Sequence, residues 1–264
     1  MATNSKLPSM KRLPALGESS KTADETIFLA TKRSRTAEFR TLLRIVFEYI
    51  RGFRALHFVG PAVTVFGSAR FGEATPHYKQ AVKIGQILAE EGYVTMTGGG
   101  PGVMEAANRG AKLTGGYSVG CTIMLPFEYQ PNRYLDRQVN FFYFFVRKVM
   151  LVKYSYAFVI LPGGVGTLDE MMEAITLIQT GKVYDFPVIL VGTEYWKGLL
   201  HWCKDTLLKE GAIDAADLDR LILTDDPEVV RTTVRNVASR LRLKLRVPAQ
   251  PSAMATTPST AQSR

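Results

Sequence analysis

Residues 157–180 read AFVILPGGVGTLDEMMEAITLIQT, and the order of residue types in this stretch decides the fold. Ala157–Leu161 is an unbroken apolar run rich in β-formers, the pattern of a strand buried on both faces. Pro162 and three glycines end it. From Leu168 the apolar residues recur at helical spacing, which predicts a helix over 168–180. Strand, glycine turn and helix form one half of a crossover unit, and the same alternation extends in both directions. Upstream the pattern predicts strands over 62–66, 93–97, 117–123 and 138–142. Helices over 77–91, 102–113 and 144–154 separate them. Downstream come a strand over 187–191, a helix over 195–210, a short strand over 221–223 and a helix over 227–241. Strands alternating with helices of 10–15 residues imply a doubly wound α/β architecture, with a mostly parallel sheet covered by helices on both faces. Such sheets take their ligands in the crevice at the carboxyl ends of the strands.

Composition agrees and removes several classes. The chain has 264 residues, 46% hydrophobic and 22% charged, an ordinary globular balance. Its two cysteines, Cys121 and Cys203, are too few for a disulfide framework. The three histidines are scattered, and neither CxxC nor HExxH occurs, so no metal is expected. No uncharged apolar run is long enough to span a bilayer. The organisation read from the sequence is a disordered leader over 1–25 and a single Rossmann-like nucleotide-binding domain over 26–247. Residues 26–58 form its N-terminal helical extension, and a Pro/Ser/Thr-rich disordered tail covers 248–264. With no apolar signal core in the leader, the expected compartment is the cytoplasm.

The net charge of +9 raises the question of nucleic acid. Residues 1–54 carry +6 and residues 227–264 carry +6, while 55–226 carry −3. A slightly acidic body with basic flanks argues against a dedicated nucleic-acid binder. Residues 36–56 predict an amphipathic helix. Phe39, Leu42, Leu43, Val46, Phe47 and Ile50 lie on one stripe, and Arg40, Arg44, Glu48, Arg51 and Arg54 on another. The stripe suits a membrane surface or packing on the body or on a neighbouring subunit. Glu38 and Glu48 favour packing.

Three predicted strand ends carry glycine: Gly67-Ser68, Gly98-Gly99-Gly100-Pro101-Gly102, and Pro162-Gly163-Gly164-Val165-Gly166-Thr167. Glycine lets backbone amides approach a ligand closely, and a helix N-terminus adds partial positive charge. Any one such turn is explained by tight strand–helix geometry. Three on one sheet point to a phosphate cradle. None is GxxxxGK[ST], and neither of the later two is GxGxxG, so a P-loop and a dinucleotide site are both disfavoured. Thr167-x-x-Glu170 has two readings. It is a capping box that makes Glu170 structural, or Glu170 lies beside the cradle where a sugar would sit.

The string Pro162–Glu170 resembles the PGGxGTxxE motif of the LONELY GUY family, cytokinin-activating nucleoside 5′-monophosphate phosphoribohydrolases once described as putative lysine decarboxylases. Gly98–Arg109 resembles the family's GGGxxGxM turn, and Arg147-Lys148-Val149-Met150 its RKxxM segment. The resemblance covers roughly residues 60–240. Glu105 stands where short members have Gly, and Phe144-Phe145-Val146 where they have Met-His. Both departures resemble the longer branch of the family.

The resemblance implies hydrolysis of the N-glycosidic bond of AMP-like and N6-prenylated nucleotides, with no cofactor and a homo-oligomer whose interface lies near Arg147. It makes Glu170 the carboxylate facing an oxocarbenium-like ribose and Arg147 the cation facing the departing base. Gly163, Gly164, Gly166 and Thr167 would hold the 5′-phosphate, with Ser68, Gly99 and Gly100 on the opposite wall. Met104, Lys148, Val165, Asp169 and Thr176 complete the implied substrate contacts. Short members place a further acidic contact in the region matching 128–137, where Asn132 is a weak candidate. A non-catalytic carrier of a nucleotide or of a molybdenum-cofactor-type phosphate ligand would need the cradle but not both Arg147 and Glu170. A lysine decarboxylase would need a pyridoxal phosphate lysine, and Lys148, Lys153 and Lys182 have no supporting motif.

Overall fold

The computed structural model describes residue 29 and residues 34–124 and 130–246. The leader over 1–25, the tail over 248–264 and the first two positions of the 128–137 region lie outside the described residues. Seven strands form one sheet: β1 (Ala62–Phe66), β2 (Val94–Thr97), β3 (Ser118–Ile123), β4 (Arg137–Phe141), β5 (Ser155–Ile160), β6 (Val188–Val191) and β7 (Leu221–Thr224). Their order is β4-β3-β2-β1-β5-β6-β7. Every pairing is parallel, so the sheet is parallel throughout. The chain winds outward from β1 to β4, then returns to lay β5 against the other side of β1. That reversal opens a crevice at the carboxyl ends of β1 and β5.

Helices cover both faces: α1 (Arg35–Leu56), α2 (Pro76–Glu90), α3 (Val103–Leu113), α4 (Phe144–Lys153), α5 (Val165–Gln179), α6 (Thr193–Trp202), α7 (Ala215–Asp219) and α8 (Pro227–Leu241). Alternate strand residues serve the two cores. From β5, Phe158 and Ile160 join Met150 and Leu151 of α4, Met171 of α5 and Trp196 of α6. Ala157 and Val159 join Ile84 and Leu88 of α2, Ala106 of α3 and Val230 of α8. β5 is thus apolar on both sides, which is why AFVIL shows no alternation.

The structure moves several boundaries. The helix expected from Leu168 begins at Val165, because the glycine turn itself winds into the first helical turn. The helix expected over 195–210 is α6 followed by a π-helical segment, Cys203–Leu208. The short α7 was not expected.

The largest difference concerns α1. Its buried residues are Thr41, Glu48, Gly52 and Leu56. The apolar stripe faces away: Phe39, Leu42, Leu43, Val46, Phe47 and Ile50 are all exposed. Glu48 explains part of this orientation. Its carboxylate accepts the backbone N–H groups of Phe142 and Tyr143 at 2.6 and 3.2 Å, in the turn that opens α4. Burial nevertheless raises its pKa. The residue that favoured packing on the body does pack there, but on the face opposite the stripe.

Candidate active site

The three glycine turns meet at the β1/β5 reversal and are bonded to one another. The Ser68 amide donates to the Pro162 carbonyl at 3.0 Å, and the Val103 amide donates to the Ser68 carbonyl at 3.0 Å. The turn after β5 runs straight into α5, whose N-cap is Gly164. The first helical amides, at Val165 and Gly166, have no carbonyl behind them. A Cβ on Gly164 or Gly166 would meet nothing within 4 Å, so both face open space. At Gly163, by contrast, a Cβ would overlap the Thr167 side chain, so only glycine lets Thr167 fold back over the turn. Val165 is fully presented, at 84% exposure.

No capping box forms on α5. Gly164 has no side chain to cap with, and Thr167 is already the third helical residue. Glu170 is therefore free of a capping role. It lies one turn further on, with its side chain only 6% exposed. One carboxylate oxygen, Oε1, is 3.8 Å from Nη1 of Arg147. The other, Oε2, is buried with no hydrogen-bond partner. Burial pushes the Glu170 carboxyl up to about 7, against the attraction of Arg147 and then Lys148. Desolvation here outweighs ion pairing, because at 3.8 Å the pair is beyond hydrogen-bond length.

Arg147 enters from the first turn of α4. Its Nε donates to the Cys121 carbonyl within β3, at 2.7 Å. The guanidinium lies against Gly98, where any Cβ would overlap it. Burial lowers its pKa, with Glu170 acting against that shift. The group stays cationic, since guanidinium titrates far above neutrality. Met104 closes the same corner, its sulfur 2.7 Å from the position a Gly98 Cβ would take. The structure thus brings Arg147, Glu170, Met104 and the Gly98–Gly100 turn together.

Other expected positions have partners within the protein. Lys148 bridges Asp169 at 3.0 Å and Glu173 at 2.5 Å, tying α4 to α5. Thr176 is six residues beyond Glu170, about 9 Å along the helix, and its hydroxyl donates to the Met172 carbonyl. Asn132 is buried and fully used. Its amide donates to Gly99 O at 2.9 Å, and Nδ2 donates to Gly100 O at 3.1 Å and Asn108 Oδ1 at 3.0 Å. Asn108, fully buried, also accepts from Thr97 and donates to Ser118, each at 2.7 Å. Asn132 therefore holds the second glycine turn. Two residues at the site escaped sequence reading: Asn108, in an unremarkable helix position, and Tyr195, whose hydroxyl donates to Gly163 O at 2.8 Å.

A cavity of about 420 Å³ lies to one side, lined by Arg44, Phe47, Glu48, Arg51, Met124, Phe142 and Tyr143. Its one carboxylate is committed to two backbone amides, and no glycine turn reaches it. Among the described residues, no group of His, Cys, Asp or Glu is arranged to hold a metal. No helix among them is long and apolar enough to cross a membrane.

Fold and site define a Rossmann-like α/β protein whose glycine turns open beside a buried Arg–Glu pair. The chain belongs to the LONELY GUY family. The family described as "possible lysine decarboxylase" matches residues 104–234. A cytokinin riboside 5′-monophosphate phosphoribohydrolase of Mycobacterium tuberculosis is 32% identical over 149 residues, covering 55% of this chain and 79% of that protein. The enzyme of that name LOG3, from Arabidopsis thaliana, is 30% identical over 157 residues, covering 57% and 71%. Among solved structures, a molybdenum cofactor binding protein from Rippkaea orientalis superposes with a TM-score of 0.50 at 26% identity. It covers 68% of this chain and 98% of that one. The two relatives named as phosphoribohydrolases support a hydrolase of this family.

Proposed function

We propose that this protein hydrolyses the N-glycosidic bond of nucleoside 5′-monophosphates, AMP and N6-prenylated AMP first among them. Water and nucleotide give free base and ribose 5-phosphate. The observation that carries the reading is the Glu170 carboxylate, buried with one oxygen unpartnered, one helical turn from an amide-lined turn. The 5′-phosphate docks on Gly163, Gly164, Gly166 and Thr167, with Ser68, Gly99 and Gly100 opposite. That anchor sets the anomeric carbon beside Glu170. As the C–N bond stretches, positive charge grows on the ribose and negative charge on the base. Ionised Glu170 stabilises the first and orients the water that adds to the anomeric carbon. Arg147 stabilises the second. The base leaves with the bonding pair and takes a proton from solvent, while the attacking water gives up one of its protons through Glu170 to solvent. The chemistry uses no cofactor. The chain acts as one domain over 26–247, in the cytoplasm, and assembles as a homo-oligomer.

The experiment is incubation of purified protein with AMP, GMP, CMP and isopentenyl-AMP, following free base by chromatography. Release from AMP or isopentenyl-AMP is expected, and no release from any of them overturns the reading. The likeness to the Rippkaea orientalis protein supports one other reading, a carrier of a phosphate-bearing cofactor. A carrier needs the cradle alone. It would bind nucleotide without turnover and be indifferent to Glu170→Gln.

A further inference from the structure

We propose that Tyr195 is a positioning residue, whose hydroxyl orients the Gly163–Gly164 peptide so that its N–H faces the bound 5′-phosphate. This rests on the functional reading above.

The argument begins with peptide geometry. A trans peptide points its C=O and N–H in opposite directions. The Tyr195 hydroxyl donates to Gly163 O at 2.8 Å, so it fixes that carbonyl on the α6 side. The amide of Gly164 is then forced to the other side, next to the free amides of Val165 and Gly166. Without the clamp, glycines on both sides leave this peptide free to rotate. A rotated peptide would aim a carbonyl oxygen at the anion and oppose binding.

The other work of Tyr195 is done by its ring, which meets Trp196 and His77 edge-on with centroids 4.9 and 6.3 Å apart, and phenylalanine keeps both contacts. Tyr195 is 45% exposed, so it contributes little to the core. Its helix is held independently. The Thr193 amide donates to Asp225 at 2.8 Å, and the Trp196 indole donates to Val191 O at 3.2 Å. The opposite wall uses the same device, with Asn132 taking the carbonyls of Gly99 and Gly100. The Gly99–Gly100 peptide thereby turns its N–H away from Asn132.

The test is Tyr195→Phe, which removes only the hydroxyl. Calorimetric titration with ribose 5-phosphate and with inorganic phosphate should show binding weakened about three- to tenfold, the size of one lost hydrogen bond. KM for AMP should rise by the same factor while kcat stays within about twofold, and the melting temperature should fall by no more than about 4 °C. If wild type binds ribose 5-phosphate and Tyr195→Phe binds it equally well, the clamp is wrong and the functional reading stands. A fall in kcat with KM unchanged also overturns the clamp, because it places the hydroxyl in the chemistry. If wild type neither binds ribose 5-phosphate nor releases base from AMP, the functional reading fails and takes the clamp with it.

Discussion

Glu170 is held between two opposing demands. The proposed reaction needs it ionised, yet burial favours its neutral form and lifts its pKa to about 7. The activity consequence is a kcat/KM that rises with pH through about 7 and levels off above it. Glu170→Gln should lose on the order of 100-fold or more in kcat and with it the rising limb, as pH–rate profiles on AMP would show. Stability moves the other way. Between the ordinary carboxylate value of 4.5 and about 7, folded Glu170 binds more protons than unfolded Glu170. Stability therefore falls as pH rises through that window. Glu170→Gln should flatten this fall, and it should melt no lower than wild type at pH 8. Gly98 gives a second test at the same scale. A methyl group there overlaps the Arg147 guanidinium, so Gly98→Ala should displace the cation. Gly98→Ala should thus approach the activity of Arg147→Ala, while circular dichroism shows the fold retained. Activity equal to wild type would show that Arg147 need not sit where the structure holds it.

At the scale of elements, what the sequence discloses depends on whether the cause is local. The glycine turns were readable because strand ends, glycines and helix starts are neighbours in the chain. The same holds for the parallel sheet, whose doubly buried strands leave an unbroken apolar run. The capping-box reading of Thr167 and Glu170 was local too, and it failed by one turn. The helix begins at Val165, so Thr167 lies inside it. The roles of Glu48 and Tyr195 were not readable, because each answers a backbone group far away in sequence. Periodicity revealed that 36–56 is an amphipathic helix, but not which face meets the body. Two amides at the start of α4 settle that by drawing in Glu48. Glu48→Ala should therefore destabilise the fold by about 1–3 kcal/mol, since it leaves buried donors unpaired. Urea unfolding measures this directly. A change below about 0.5 kcal/mol would mean that water satisfies those amides and that α1 is oriented by something else.

For the whole molecule, the unresolved balance is the outward face of α1. Phe39, Leu42, Leu43, Val46, Phe47, Ile50 and Phe53 are between 37% and 67% exposed along one helical stripe. Together they form a stripe of seven partly exposed apolar side chains along one face of the helix. Single exposed apolar residues are ordinary, but a contiguous patch of this size marks an interaction site. A second copy of the chain would keep these apolar residues from water, as the proposed homo-oligomer requires. The flanking arginines, Arg40 and Arg54, are the feature an anionic lipid surface would exploit instead. Size-exclusion chromatography with light scattering separates the two. Wild type should run well above the monomer mass of 29.3 kDa. Phe47→Glu combined with Val46→Glu should return it to that mass with its melting curve still cooperative, because neither side chain supports the core. A wild-type chain that is monomeric at micromolar concentration, yet sediments with phosphatidylserine vesicles, would assign the stripe to lipid. Carboxylates at 46 and 47 would then abolish the sedimentation without changing the mass.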